Sequence, residues 1–152
     1  AKSDYEEGIR LSFLENGLSA SDAADYAQSM KTPARFIDMS ENPTKDSKNA
    51  LGTVSVKWAE DGNELERIIT QKWIALYPNG MEAWAEFRRT GFPKLFPINE
   101  NSNDPSIDKN KQIRRVIFPK SEYANNAGAV NAATRLLGGP DSGGTRLWWD
   151  AR

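Results

Sequence analysis

The chain has 152 residues, 20 Lys and Arg against 21 Asp and Glu, a formal charge of −1 and 38% apolar residues, which fits one domain, or part of one, with a modest core. It contains no His and no Cys, so Ser-His-Asp triads, thiol chemistry and imidazole or thiolate zinc sites are excluded. The near-neutral balance argues against nucleic acid as a partner, no apolar run is long enough to span a bilayer, and the N-terminus lacks the order of a secretory signal.

Ala1 has no Met before it and a helical pattern starts almost at once, so the chain reads as a fragment or a processed chain. The i, i+4, i+8 spacing of Tyr5, Ile9 and Phe13 predicts a helix over residues 4–15, stopping before Gly17. A second, Ala-rich helix is expected over residues 19–30, with Ser19 or Ser21 as N-cap and Pro33 beyond its end. The two form an αα-hairpin in which Tyr5, Ile9 and Phe13 face Ala23, Tyr26, Ala27 and Met30. Residues 31–63 then turn to Thr, Pro, Ser, Asn, Lys and Asp, a long surface excursion with turn chemistry at residues 42–47. Within it Val54, Val56 and Trp58 alternate with Ser55 and Lys57, which suits an edge strand or an ordered loop equally.

The strongest pattern follows. Asp61 or Asn63 is placed as an N-cap, Glu64 and Glu66 put negative charge in the first turn, and Leu65, Ile68, Ile69, Trp73 and Leu76 make the apolar stripe of a helix reaching about Leu76. Pro78-Asn79-Gly80 is a turn. The next helix carries Met81, Trp84 and Phe87 inward, Arg88 and Arg89 in its last turn, and stops at Gly91 and Pro93. So short a turn implies an antiparallel hairpin about the size of one tetratricopeptide repeat. Residues 99–108 read as a loop, 114–119 as extended, and 125–137 as a helix with Ala129, Val130, Ala133 and Leu136 on one stripe, ended by Gly138-Gly139. A Gly-rich tail closes on Trp148-Trp149.

Few residues offer chemistry. Glu82 and Glu86 lie one helical turn apart, as a glycosidase acid and base would, but they also suit an exposed polar face paired with a nearby Arg. Lys109, Lys111, Arg114, Arg115 and Lys120 form a basic stretch that would suit a polyanion, or a surface strand with alternating charge. The loop at residues 138–145 lacks the Lys and the following helix of a phosphate loop. Asn101, Asn103, Asp104 and Asp108 lack the spacing and closing Glu of a helix-loop-helix calcium site, so no metal or cofactor is expected. Trp73 and Trp84 suit a core. Trp58 and Tyr123 lie in irregular, polar surroundings and are the candidate ligand contacts, placed either to stack on the C–H face of a sugar ring or to act as a lid over the core.

Residues 65–93, LERIITQKWIALYPNGMEAWAEFRRTGFP, resemble the C-terminal part of the SusD/RagB-type outer-membrane nutrient-binding lipoproteins of Bacteroidetes. Tyr5-Glu6-Glu7-Gly8-Ile9-Arg10, Ile113-Arg114-Arg115, Phe118-Pro119, Glu122-Tyr123 and Leu147-Trp148-Trp149-Asp150 support it, so the resemblance touches nearly all of residues 1–152. It implies an all-α fold of tetratricopeptide-like helical hairpins with long irregular loops, in which Trp73 and Trp84 anchor one hairpin. The implied role is non-catalytic: oligosaccharide binding at the bacterial surface and delivery to a SusC-like TonB-dependent transporter, with the lipid anchor and much of the sugar pocket in the remaining N-terminal part of the same protein. The rival expectation is a stand-alone tetratricopeptide-like protein-interaction module.

Overall fold

Six helices carry the chain in a computed structural model that describes residues 1–37, 39, 47–97, 107 and 111–150: α1 (Lys2–Glu15), α2 (Ala20–Ala27), α3 (Glu64–Ala75), α4 (Gly80–Thr90), α5 (Lys120–Asn125) and α6 (Ala127–Leu136). Among the described residues there is no strand, so the all-helical expectation holds. The chain divides into two units, Ala1–Leu95 and Phe96–Arg152, and each has its own way of holding irregular backbone.

In the first unit the α1–α2 hairpin forms as the spacing predicts. Ser19 caps α2 by accepting the Asp22 backbone N–H at 3.1 Å, satisfying one of the orphan donors of a helix start. Tyr5, Ile9, Ala23 and Ala27 are buried together with Val56, and Phe13, Tyr26, Trp58 and Ile68 close around them. Met30 does not join them: α2 ends at Ala27 and Met30 is exposed. The reason is that the backbone after α2 pairs elsewhere, with Ser29 and Lys31 carbonyls accepting from the Lys57 and Val56 N–H groups at 2.9 and 3.1 Å. The segment carrying Val54 and Val56 is therefore an ordered loop with both valines buried, and the Tyr5 hydroxyl donates to the Val56 carbonyl. Burial raises the Tyr5 phenol to about 12.

Helix α3 starts at Glu64, with Asn63 as N-cap but without a side-chain cap bond. The Asn63 backbone N–H is instead taken by Asp61, which also binds Arg67. The predicted stripe is met at Ile69, which is buried, while Leu65 is exposed. Unexpectedly, α3 also buries Glu66 and Arg67. Arg67 donates to the Ser55 and Ala59 carbonyls at 3.0 and 3.1 Å and to Asp61, so one guanidinium staples the loop before α3 to the helix. Glu66 pairs with Lys94 at 3.0 Å, tying in the chain that leaves α4.

Helix α4 stops at Gly91 as expected, and its N-cap is Asn79, a residue of the predicted turn. Asn79 accepts the Glu82 backbone N–H, and Gly91 ends the helix at φ +77°, a left-handed value that a Cβ would disfavour. Its packing face is rotated from the predicted one. Ala83 and Phe87 are buried, whereas Met81 is exposed. The Arg88 guanidinium lies 3.6 Å over the Trp84 ring, a cation–π stack that covers an indole only half-buried.

The second unit departs most from expectation. Residues 114–119 are not a surface strand: Arg114 and Arg115 are 2% and 6% exposed, while Val116 and Ile117 face outward. The two adjacent arginines both point in and the two apolar residues after them out, because two buried carboxylates wait there. Arg114 binds Asp150 through both ends of its fork, Nε to Oδ2 at 2.7 Å and Nη2 to Oδ1. Arg115 pairs with Asp141. The predicted helix over residues 125–137 is α6, which starts at Ala127, and the short α5 before it, parted from it at Asn126, has no counterpart in the sequence reading. On its stripe Val130 is buried and Ala133 half-buried, whereas Ala129 and Leu136 are exposed. Gly138 takes φ +70° where the stop was expected.

The rotated face of α4 is directly measurable. Phe87→Ala should destabilise the protein by about 3–5 kcal/mol by opening a cavity, and Met81→Ala should change it by under about 0.5 kcal/mol, as read by denaturant unfolding. Equal losses would restore the predicted stripe.

Candidate functional site

Asp141 organises a cluster in which an exposed aromatic, a buried charge pair and a tight loop meet. The loop at residues 138–145 folds on itself, the Thr145 hydroxyl donating to the Pro140 carbonyl at 2.6 Å. The Gly143 carbonyl accepts the Arg114 and Arg115 backbone N–H groups at 2.8 and 3.3 Å. This brings the Asp141 carboxylate, 6% exposed, against Arg115. The same carboxylate accepts the Phe118 backbone N–H at 3.1 Å and the Tyr123 hydroxyl at 2.5 Å. The Arg115 guanidinium in turn lies 4.7 Å over the Phe118 ring. Burial alone would push the Asp141 carboxyl up, but the donors from Tyr123, Arg115 and Phe118 outweigh it and hold the group below the usual carboxylate range. The bond to Asp141 correspondingly raises the Tyr123 phenol.

Of the two aromatic candidates, Tyr123 is therefore placed with its residue 44% exposed and its hydroxyl committed. Trp58 lies elsewhere, in the first unit. Its ring centroid is 5.2 Å from that of Tyr5, tilted 49°, and its indole nitrogen is enclosed without a hydrogen-bond partner among the described residues. It packs, partly buried, against the core of this unit. The two candidates thus belong to separate units, and each is described by its own surroundings.

The first unit also holds a cavity of about 480 Å³ lined by Tyr5, Gly8, Phe13, Tyr26, Ile68 and Ile74, among others. A second, of about 360 Å³, has Trp73, Val54, Val56 and the Glu66–Arg67 pair in its wall. Both are mainly apolar and offer room rather than reactive groups. Ile74, Tyr77 and Met81 are exposed in the same unit.

The other candidates resolve simply. Glu82 and Glu86 both face Lys72, at 3.7 and 2.9 Å, and Glu86 also binds Arg89 at 2.6 Å. The bond from Arg89 holds the Glu86 carboxyl low, the opposite of what a proton-donating acid requires. In the basic stretch, Arg114 and Arg115 are spent on Asp150 and Asp141 and are not presented to a polyanion. Asn101, Asn103, Asp104, Asp108 and Lys109 lie outside the described residues. Among the described residues no group of three or more carboxylates is placed to hold a metal ion.

Asp141 has little signal in the sequence, since its loop reads only as a Gly-rich turn without the Lys or following helix of a phosphate loop. The available signal was a single carboxylate among Gly, Pro and Ser, some two dozen residues after two adjacent arginines. Asp150 carried less signal still, since Trp148-Trp149 dominates its surroundings; Trp148 proves 92% exposed.

The chain is similar throughout to known proteins. The SusD-like family profile, described as Susd and RagB outer membrane lipoprotein, matches residues 1–150. A chitin-binding SusD homologue from Flavobacterium johnsoniae is 42% identical, with a TM-score of 0.89 over 100% of this chain and 32% of its own. A SusD homologue from Bacteroides thetaiotaomicron is 40% identical, with a TM-score of 0.90 over 100% of this chain and 33% of its own. One from Bacteroides vulgatus is 44% identical, with a TM-score of 0.88 over 99% of this chain and 30% of its own. The chain thus spans about a third of the length of these solved relatives. No curated protein matches it.

The depressed Asp141 carboxyl has a pH signature. Its stabilising effect is complete above the unfolded carboxyl value of about 3.9 and is lost as pH falls through the lower folded value. Asp141→Asn should therefore melt at a lower temperature than the parent near neutrality, and the gap should narrow as the pH is taken below about 4. A gap independent of pH would remove Asp141 from the acid response.

Proposed function

The chain belongs to the SusD-like family of outer membrane lipoproteins, and from that premise we propose that the protein it forms part of binds oligosaccharides at the bacterial surface without cleaving them. The observation that carries this reading is the 42% identity, over the whole of this chain, to a chitin-binding SusD homologue. Glycans built from N-acetylglucosamine are accordingly the first ligands to try. The bound sugar is passed to a SusC-like TonB-dependent transporter.

Within the chain, Tyr123 is the ring-stacking contact and Trp58 closes the core. Pyranose rings with equatorial substituents present apolar C–H faces, and an exposed phenol on a braced loop is a suitable counterpart. A non-catalytic role agrees with the commitment of Glu82 and Glu86 to Lys72 and with a sequence free of His and Cys. The apolar cavity beside α1 and α3, together with exposed Ile74, Tyr77 and Met81, is the seat for the remaining part of the same polypeptide. The relatives are about three times as long, and exposed apolar patches of this kind mark surfaces that are covered in use.

Titration calorimetry of the full-length protein with chitooligosaccharides should show saturable binding, and mass spectrometry after prolonged incubation should find every oligosaccharide at its starting length. Binding of peptides with indifference to glycans would overturn the substrate class, and shortened oligosaccharides would overturn the non-catalytic role.

A further inference from the structure

Tyrosine side chains ordinarily bury the ring and leave the hydroxyl to reach water or a polar partner at the edge. Tyr5 and Tyr26 obey this rule: both rings pack in or around the core of the first unit, and their hydroxyls donate to the Val56 carbonyl and, at 3.0 Å, to Gln71. Tyr123 departs from it. It lies on α5, a helix that buries none of its residues. Its hydroxyl is committed to a carboxylate whose side chain is 6% exposed, and the residue as a whole stays 44% exposed.

Such an arrangement keeps apolar area in water, against a driving force of about 25 cal/mol per Å², and it is held there by a partner that cannot move. Asp141 is fixed by Arg115 on one side and by the Phe118 backbone N–H on the other, and its loop is closed by Thr145. We propose that Asp141 is the positioning residue of a ring-stacking subsite, holding Tyr123 by its hydroxyl so that a bound glycan meets the face of the phenol and receives no hydrogen bond from it. This rests on the glycan-binding reading above and adds to it a mode of contact and a second residue. Recognition at this point selects for an apolar sugar face, not for a particular hydroxyl. Because the ring is braced before ligand arrives, little side-chain freedom is lost on binding.

The test is calorimetry of the full-length protein with triacetylchitotriose, each variant being checked for an unchanged fold by circular dichroism. Tyr123→Ala removes the face and should weaken binding at least about tenfold. Tyr123→Phe keeps the face and frees it from Asp141, for a loss of about threefold, and Asp141→Ala should give a similar loss. Because both act through one bond, the double variant Tyr123→Phe with Asp141→Ala should lose no more than either alone, and Asp141→Asn, which still accepts the hydroxyl, should bind nearly as the parent does. A Tyr123→Phe loss as large as that of Tyr123→Ala would show that the hydroxyl touches the ligand. Losses that multiply in the double variant would show that Asp141 acts elsewhere. Either result overturns the inference, as does full affinity in Tyr123→Ala. If Asp141→Ala does not fold, the comparison of Tyr123→Phe with Tyr123→Ala still decides. A parent protein that binds no chitooligosaccharide at all refutes the glycan reading itself, a result distinct from any of these.

Discussion

Arg115 and Asp141 are buried side by side, and neither tolerates that position without the other. A lone buried charge is expensive, and removing one partner of such a pair typically costs about 3–5 kcal/mol. The pair therefore fixes where the loop at residues 138–145 lies against residues 114–118. From that placement follow the direction of the Tyr123 hydroxyl, the exposure of that residue and the stack of Arg115 on Phe118. Arg114 repeats the solution next door with Asp150, which Arg146 also binds at 2.9 Å. In the first unit Arg67 does the equivalent with backbone carbonyls and Asp61. Guanidinium suits all three tasks because its planar fork reaches several acceptors at once.

This division of labour explains how a chain with a modest apolar share keeps long non-helical stretches in order. The helices are held by ordinary means: aromatic and aliphatic residues against alanine in α1 and α2, and buried Phe87 and Ile69 on the second hairpin. The segments between them have too few apolar residues to bury, and among the described residues no sheet ladder serves them. Their carbonyls and amides turn to a few charged side chains that are themselves enclosed. Such anchors are directional, so they fix geometry more sharply than apolar contact alone. A braced, exposed aromatic is a natural by-product, and the proposed subsite is built on it.

The helices were legible because their signals are local. Ser19 caps, Gly91 and Gly138 stop, and the spacing of Tyr5, Ile9 and Phe13 is a helical one wherever it occurs. Which face is covered was less legible. Periodicity says which positions share a side of a helix, and the neighbours decide which side is buried; Met81, Leu136 and Met30 were assigned inward and lie outward. The inward arginines were illegible for a deeper reason. A run of charged and apolar residues carries no sign of which set faces in, and the deciding carboxylates, Asp141 and Asp150, are 26 and 36 residues downstream of their partners. Family resemblance could be read from the run at residues 65–93, yet the residues that build the proposed subsite lie outside it. The polar surroundings of Tyr123 are visible in the sequence, and only the fold shows that Asp141, 18 residues away, holds it.

The central claim is that the Tyr123 ring stands open in the free protein and is covered when a glycan binds. Hydroxyl-radical footprinting of the unmodified full-length protein, read by mass spectrometry with and without saturating chitooligosaccharide, tests it without any substitution. The account predicts that Tyr123 is readily oxidised in the free protein and strongly protected in the complex, while the reactivity of core Tyr5 and of half-buried Tyr26 is the same in both. A Tyr123 already shielded before ligand is added, or one just as reactive after saturation, would contradict it.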